Sequence, residues 1–132
     1  MKTFLDSGVL IAAWLDTSRT GLACRLLDDS SRKFYTSQMC WLEVMPKAVY
    51  AGRQNEVHFY ENHFQDCQGC EPLSEALGRD AEQLASRYGL AGADALQIAA
   101  ALRQGVEEFY TSERPSKPLF RVKELKVLSL AF

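Results

Sequence analysis

Four carboxylates stand where a charge is costly. Asp6 interrupts the apolar run FLDSGVL, Glu43 sits inside CWLEVM, Asp94 inside GADALQIAAAL, and Glu113 just after FYTS. Acids among apolar neighbours are seldom buried unless something neutralises them. An ion pair is the simplest partner, but only Lys47, four residues after Glu43, is placed to make one along its own helix. A divalent cation is the other solution. Hard cations such as Mg²⁺ take carboxylate oxygens and keep several waters. Without a cation, converging acids repel one another and their pKa values rise. Taken singly, each acid also has an ordinary reading. Asp6 caps a helix N-terminus. Asp94 lies in a first helical turn, where the helix dipole welcomes an anion. Glu43 pairs with Lys47 on the surface, and Glu113 is a solvated loop acid. The neighbouring hydroxyls of Ser7 and Thr111 read singly as turn or cap residues.

The elements that must place these acids alternate between strand and helix. KTFLD is a short strand and SGVLIAAWL a helix apolar all round, as for an element packed on a sheet. A second helix follows in SRTGLACRLLDDSSR, with Ser18 as its N-cap. KFYTS is a strand, and Ser37 caps the helix QMCWLEVMPKAVYAG. Pro46 denies the Leu42 carbonyl its hydrogen bond, which predicts a kink, and Gly52 ends the element. RQNEVHFYENHFQDC is helical, GCEPLS an extended connection or a strand, and SEALGRDAEQLASRYG a helix closed by Gly89. GADALQIAAALRQG is another, closed by Gly105. VEEFYTSE is a strand, RPSKPLFRVKE a loop with two prolines, and LKVLSLAF a final strand. Strands separated by helices argue for a parallel sheet covered on both faces, with ligand sites at the carboxyl ends of the strands. Asp6 and Glu113 both fall at such ends.

The chain has 132 residues and a net charge of -2, which suits one α/β domain spanning 1–132 and argues against a general polyanion binder. A local basic patch remains compatible with that charge. The apolar stretch from Gly8 to Leu15 is too short to cross a bilayer, and no small-residue cleavage site follows it. The expectation is an intracellular, cytoplasmic protein with no membrane partner. Cys24, Cys40, Cys67 and Cys70 are therefore expected as free thiols. His63, Cys67 and Cys70 fall at i, i+4 and i+7, which would place them on one helical face. They make a partial zinc set at most, because a structural site wants four ligands.

Four segments in order resemble the PIN-domain nucleases, above all the small VapC-type toxins of bacterial toxin–antitoxin pairs: FLDSGVLIAAW, TSQMCWLEV, AGADALQIAAAL and FYTSERP. The resemblance implies a three-layer α/β/α domain with a central, mainly parallel sheet of about four to five strands. It implies a ribonuclease that hydrolyses RNA phosphodiesters with Mg²⁺ or Mn²⁺, controlled by an antitoxin protein and commonly homodimeric. Asp6, Glu43 and Asp94 match the family's characteristic acids, while Glu113 stands where the family usually has Asp. Ser7 and Thr111 fall where hydroxyls support the acidic site. Asp6 and Asp94 are then the expected direct ligands, with Glu43 and Glu113 completing the ring or orienting water.

RNA also needs cationic surface, since phosphate contacts dominate affinity. Arg114, Lys117, Arg121, Lys123 and Lys126, against Glu124, form a stretch that adjoins Glu113. As a plain alternative it is a solvated loop. Two other functions compete. A phosphoryl transferase with Asp6 as nucleophile would want a second acid two residues on, where Gly8 stands. A PIN-like RNA-binding or protein-interaction module without activity is the other, distinguished by whether a chelator abolishes RNA cleavage.

Overall fold

The computed structural model describes residues 1–15 and 19–130. Strands β1 (Lys2–Leu5), β2 (Lys33–Ser37), β3 (Gly69–Glu71), β4 (Glu108–Thr111) and β5 (Lys126–Ser129) form a sheet in the order β3-β2-β1-β4-β5. Every pairing in it is parallel. Helices α1 (Ser7–Trp14), α2 (Thr20–Leu27), α3 (Gln38–Tyr50), α4 (Gln54–Asp66), α5 (Glu75–Tyr88) and α6 (Gly92–Arg103) supply the crossovers. The result is the expected three-layer α/β/α arrangement.

The central strand shows how the layers arise. Successive side chains of a strand point to opposite faces. Phe4 faces a core built with Leu77, Leu84, Ile98 and Phe109, from α5, α6 and β4. Its ring stacks on Phe109 with centroids 5.2 Å apart. Leu5 faces the other core, with Val9, Leu10, Leu26, Val44 and Tyr60 from α1 to α4. Both residues are wholly buried. A parallel strand covered on both sides needs this unbroken apolar run, not an alternating one.

The strand order fixes where a site can form. From β1 the chain moves outward to β2 and β3, then returns to the other side of β1 as β4. The carboxyl ends of β1 and β4 thus flank the point where the winding reverses, which is where such sheets open a crevice.

Several local expectations change. The expected N-cap Ser18 lies outside the described residues, as do residues 131–132 of the last strand segment. α3 does run through Pro46 as one element, as read from the sequence. The segment read as a loop contains a 3₁₀ turn, Pro118–Arg121, with Pro118 presetting its backbone and Leu119 buried beneath it. His63, Cys67 and Cys70 do not share a helix. α4 ends at Asp66, Cys67 is its extended cap, and Cys70 lies on β3 paired with Thr36. Among the described residues no helix is long and apolar enough to cross a membrane.

His63 is instead a core side chain, edge-on to Phe34 and Phe64, with Cys67 Sγ 3.5 Å from its Nε2. Burial pushes it down from 6.5 to about 4, against a smaller upward pull from Asp66. Between those values the unfolded chain binds a proton that the folded chain refuses, so this group's contribution to stability falls as pH drops from 6.5 towards 4. The slope is at most about 1.4 kcal/mol per pH unit. Urea midpoints of wild type and His63→Phe, measured from pH 4 to 7, will diverge as pH falls, with wild type losing more.

Candidate active site

Asp6 stands at the carboxyl end of β1, as its place in the sequence suggested. It is the N-cap of α1, with Oδ1 accepting from the Val9 amide at 3.2 Å. Its backbone amide meanwhile donates to the Tyr110 carbonyl on β4, so the carboxylate is held at the reversal point. Asp94 is the third residue of α6, half-buried in its first turn. Glu43 comes from the middle of α3, half-buried between exposed Leu42 and buried Val44. Among the described residues no ion pair joins it to Lys47; its Oε1 accepts from Gln97 Nε2 at 2.9 Å. Glu113 follows β4 by two residues and is exposed.

These four segments bring their acids within electrostatic reach of one another. Burial, above all, drives Asp6 up from 3.8 to about 7. Hydrogen bonds from the Thr111 side chain and the Val9 amide hold it back, and repulsion from Asp94 and Glu43 adds to the rise. Asp94 is raised by burial first, then by Glu113 and Glu43. A raised acid among acids is the electrostatic imprint of a site that wants a cation.

Thr111, fully buried, links two of them. Its hydroxyl bonds Asp6, and its Oγ1 accepts from the Glu113 amide at 3.1 Å. Ser7 is the half-buried first residue of α1, beside Asp6. The basic stretch divides into two parts. Arg114 and Lys117 are exposed in a turn closed by a Lys117-to-Arg114 backbone bond, directly after Glu113. Arg121 and Lys123 bind the end of α5 instead: Arg121 Nη1 donates to the Tyr88 carbonyl at 3.0 Å, and the Lys123 amide to Tyr88 Oη at 3.4 Å. Tyr88 lies shortly before Asp94, across the α5–α6 turn.

Three features escaped the sequence reading. Gly8 lies so close to β4 that an added Cβ would overlap Ser112 Oγ and come 3.4 Å from Asp6 Oδ1. Arg19, at the start of α2, donates from Nη1 to the carbonyl of Ser112, the residue before Glu113, at 3.3 Å. Gln97 is polar in an apolar helix, three residues after Asp94 and so on its face; that spacing was the available signal.

Among the described residues no three His, Cys, Asp or Glu side chains stand close enough to hold a metal ion together. The donor set nonetheless fits Mg²⁺ or Mn²⁺. Such ions are held in enzymes by one or two carboxylates and retain water on the rest. A pair such as Asp6 and Asp94, with further acids reaching through water, meets that demand, and all-oxygen donors match hard cations.

The family profile of the PIN domain matches residues 3–115. The chain belongs to the PIN domain family. No curated protein matches it in sequence. Its fold is similar to several solved structures of low identity. VapBC2 of Rickettsia felis, bound to a DNA fragment from its promoter, is 12% identical with a TM-score of 0.71, and 98% of each chain is covered. VapBC-1 of nontypeable Haemophilus influenzae is 15% identical at 0.70, with 100% of each covered. VapC20 of Mycobacterium tuberculosis, described as a sarcin–ricin loop cleaving toxin, is 18% identical at 0.69, covering 86% of this chain and 91% of that one. These likenesses show that the PIN fold here is shared with VapC toxins.

Gly8 offers a structural test. In an open helix Gly→Ala is stabilising by up to about 1 kcal/mol. Here Gly8→Ala will reverse that sign and destabilise by about 1–3 kcal/mol, the range for overpacking. Adding Ser112→Gly will recover most of the loss in urea unfolding.

Proposed function

We propose that this PIN domain is a metal-dependent endoribonuclease that hydrolyses RNA phosphodiesters, acting as a toxin under antitoxin control. One observation supports the reading: acids from four separate segments lie within electrostatic reach near the reversal point, where burial first and their repulsion second raise Asp6 to about 7. In this reading Asp6 and Asp94 hold Mg²⁺ or Mn²⁺ directly, and Glu43 and Glu113 complete the ring or orient water. The bound cation would polarise a phosphoryl oxygen, acidify water and offset developing negative charge.

The chain's own residues supply the order around it. Thr111 fixes the Asp6 carboxylate and the start of the Glu113 turn. Glu113 has a longer arm than the usual Asp, and its exposure lets that arm reach inward. In this reading Arg114 and Lys117, directly after Glu113, and Arg121 and Lys123, at the end of α5, take RNA phosphates. Antitoxin control is supported by the VapBC complexes among the similar folds, and exposed Trp14, Leu15, Leu42, Val49 and Tyr50 offer apolar surface for a partner. A homodimer rests on the family resemblance, and a cytoplasmic location on the short apolar stretch and missing cleavage site read from the sequence.

The spread of the acids favours one second reading, a PIN-like RNA-binding or protein-interaction module without activity. Incubating the protein with a mixed RNA pool separates the two. Cleavage will require Mg²⁺ or Mn²⁺ and stop with chelator. Asp6→Asn and Asp94→Asn will each lower the rate at least about 100-fold, as expected when the charge-stabilising centre is disabled, with thermal midpoints kept. Wild-type cleavage by Asp6→Asn, or none by the intact protein, would favour the inactive module. The logarithm of RNA affinity will fall steeply against that of salt. Arg121→Gln with Lys123→Gln will flatten the slope by about 1.4, at about 0.7 per phosphate contact on single strands. An unchanged slope removes these two from the RNA surface.

A further inference from the structure

Glu43 is one of the two acids with a longer, more flexible arm. It has three side-chain torsions, and ordering such a chain costs conformational entropy. Its neighbours along α3 offer no cation within ion-pair distance among the described residues. The group that meets it comes from α6. Gln97 is 3% exposed and its Nε2 donates to Glu43 Oε1 at 2.9 Å. Its Oε1 faces the Ser37 hydroxyl at 2.5 Å.

The chemistry of Ser37 decides which way the amide points. Ser37 caps α3 and its Oγ accepts from the Cys40 amide at 3.0 Å. The hydroxyl has one proton, and the oxygen's role as cap leaves that proton to be donated to Gln97 Oε1. The amide oxygen is therefore occupied, and only the NH₂ group can face Glu43. A fully buried backbone cap thus orients a buried amide, which in turn fixes one carboxylate oxygen. Glu43 Oε2 is left for the acidic centre.

We infer that Gln97, oriented by Ser37, is a positioning residue that holds Glu43 for cation binding. Resting on the proposed metal-dependent reading, the inference adds two residues to it. Gln97 touches Glu43 rather than substrate, so it acts through that carboxylate. Second-layer partners of metal-binding carboxylates are worth about 10–100-fold in affinity.

Mn²⁺ affinity, measured by calorimetry or by the free-ion electron paramagnetic resonance signal, tests this without relying on activity. Gln97→Met keeps the volume and removes the donor. It will weaken Mn²⁺ binding about 10–100-fold, whereas Gln97→His, which keeps a donor and an acceptor, will stay closer to wild type. In a Glu43→Gln background, Gln97→Met will cause no further loss. Undisturbed affinity in Gln97→Met, or an equal loss in both backgrounds, overturns the inference while leaving the metal reading intact. A wild-type protein that takes up no Mn²⁺ overturns both. Thermal midpoints of the metal-free variants, expected within a few degrees of one another, show that folding is not what changed.

Discussion

Like charges gathered at the reversal point of a parallel sheet are the constraint on which this molecule turns. The topology places the ends of β1 and β4 side by side, and α3 and α6 lean over the same edge. Each contributes an acid. In water four carboxylates would simply spread apart. Here Asp6 is tied to the Val9 amide and to Thr111, and Glu43 to Gln97. The backbone hydrogen bonds of the sheet and helices hold the segments, so the repulsion is stored rather than relaxed. Asp6 and Asp94 are raised by burial first, and that repulsion adds to the rise.

The rest of the fold follows from keeping this edge rigid yet open. The two apolar cores on either side of β1 fix Phe4 and Leu5 completely, so the residue after them cannot drift. The acids themselves are half-buried or exposed, which leaves them open to solvent and to a substrate. Away from the edge the polar groups do structural work. Glu108 is buried, but it accepts from Thr3 Oγ1 at 2.8 Å and Arg32 Nε at 2.7 Å. Glu56, also buried, accepts from Tyr60 at 2.7 Å. Buried acids with such partners are neutralised locally. At the edge, by contrast, Asp6 and Glu43 meet neutral donors, the Val9 amide and the Gln97 side chain.

Much of this was legible in the sequence because apolar runs and caps are local signals. The helix starts at Asp6 and Ser37, and the ends at Gly52 and Gly89, are set by residues within one turn. The winding of strands and helices followed from their order. The site was legible as a set of acids out of place, and the choice between cap and ligand at Asp6 dissolves because its geometry allows both. What was hidden depends on contacts between distant segments. The helical spacing of His63, Cys67 and Cys70 continues past the point where Gly69 pairs with Tyr35 and the chain becomes β3. The fit of Gly8 against Ser112 exists only once β1 and β4 are neighbours. Gln97 showed itself as a polar residue on Asp94's face, but its partner on α3 could not be read from α6 alone.

A crystal of the protein soaked in Mn²⁺, with anomalous scattering recorded at the manganese edge, tests the central claim most directly. A peak within coordination distance of the carboxylates of Asp6 and Asp94, lost in Asp6→Asn, is the predicted result. A peak only elsewhere, or an empty edge at millimolar Mn²⁺, would contradict the account.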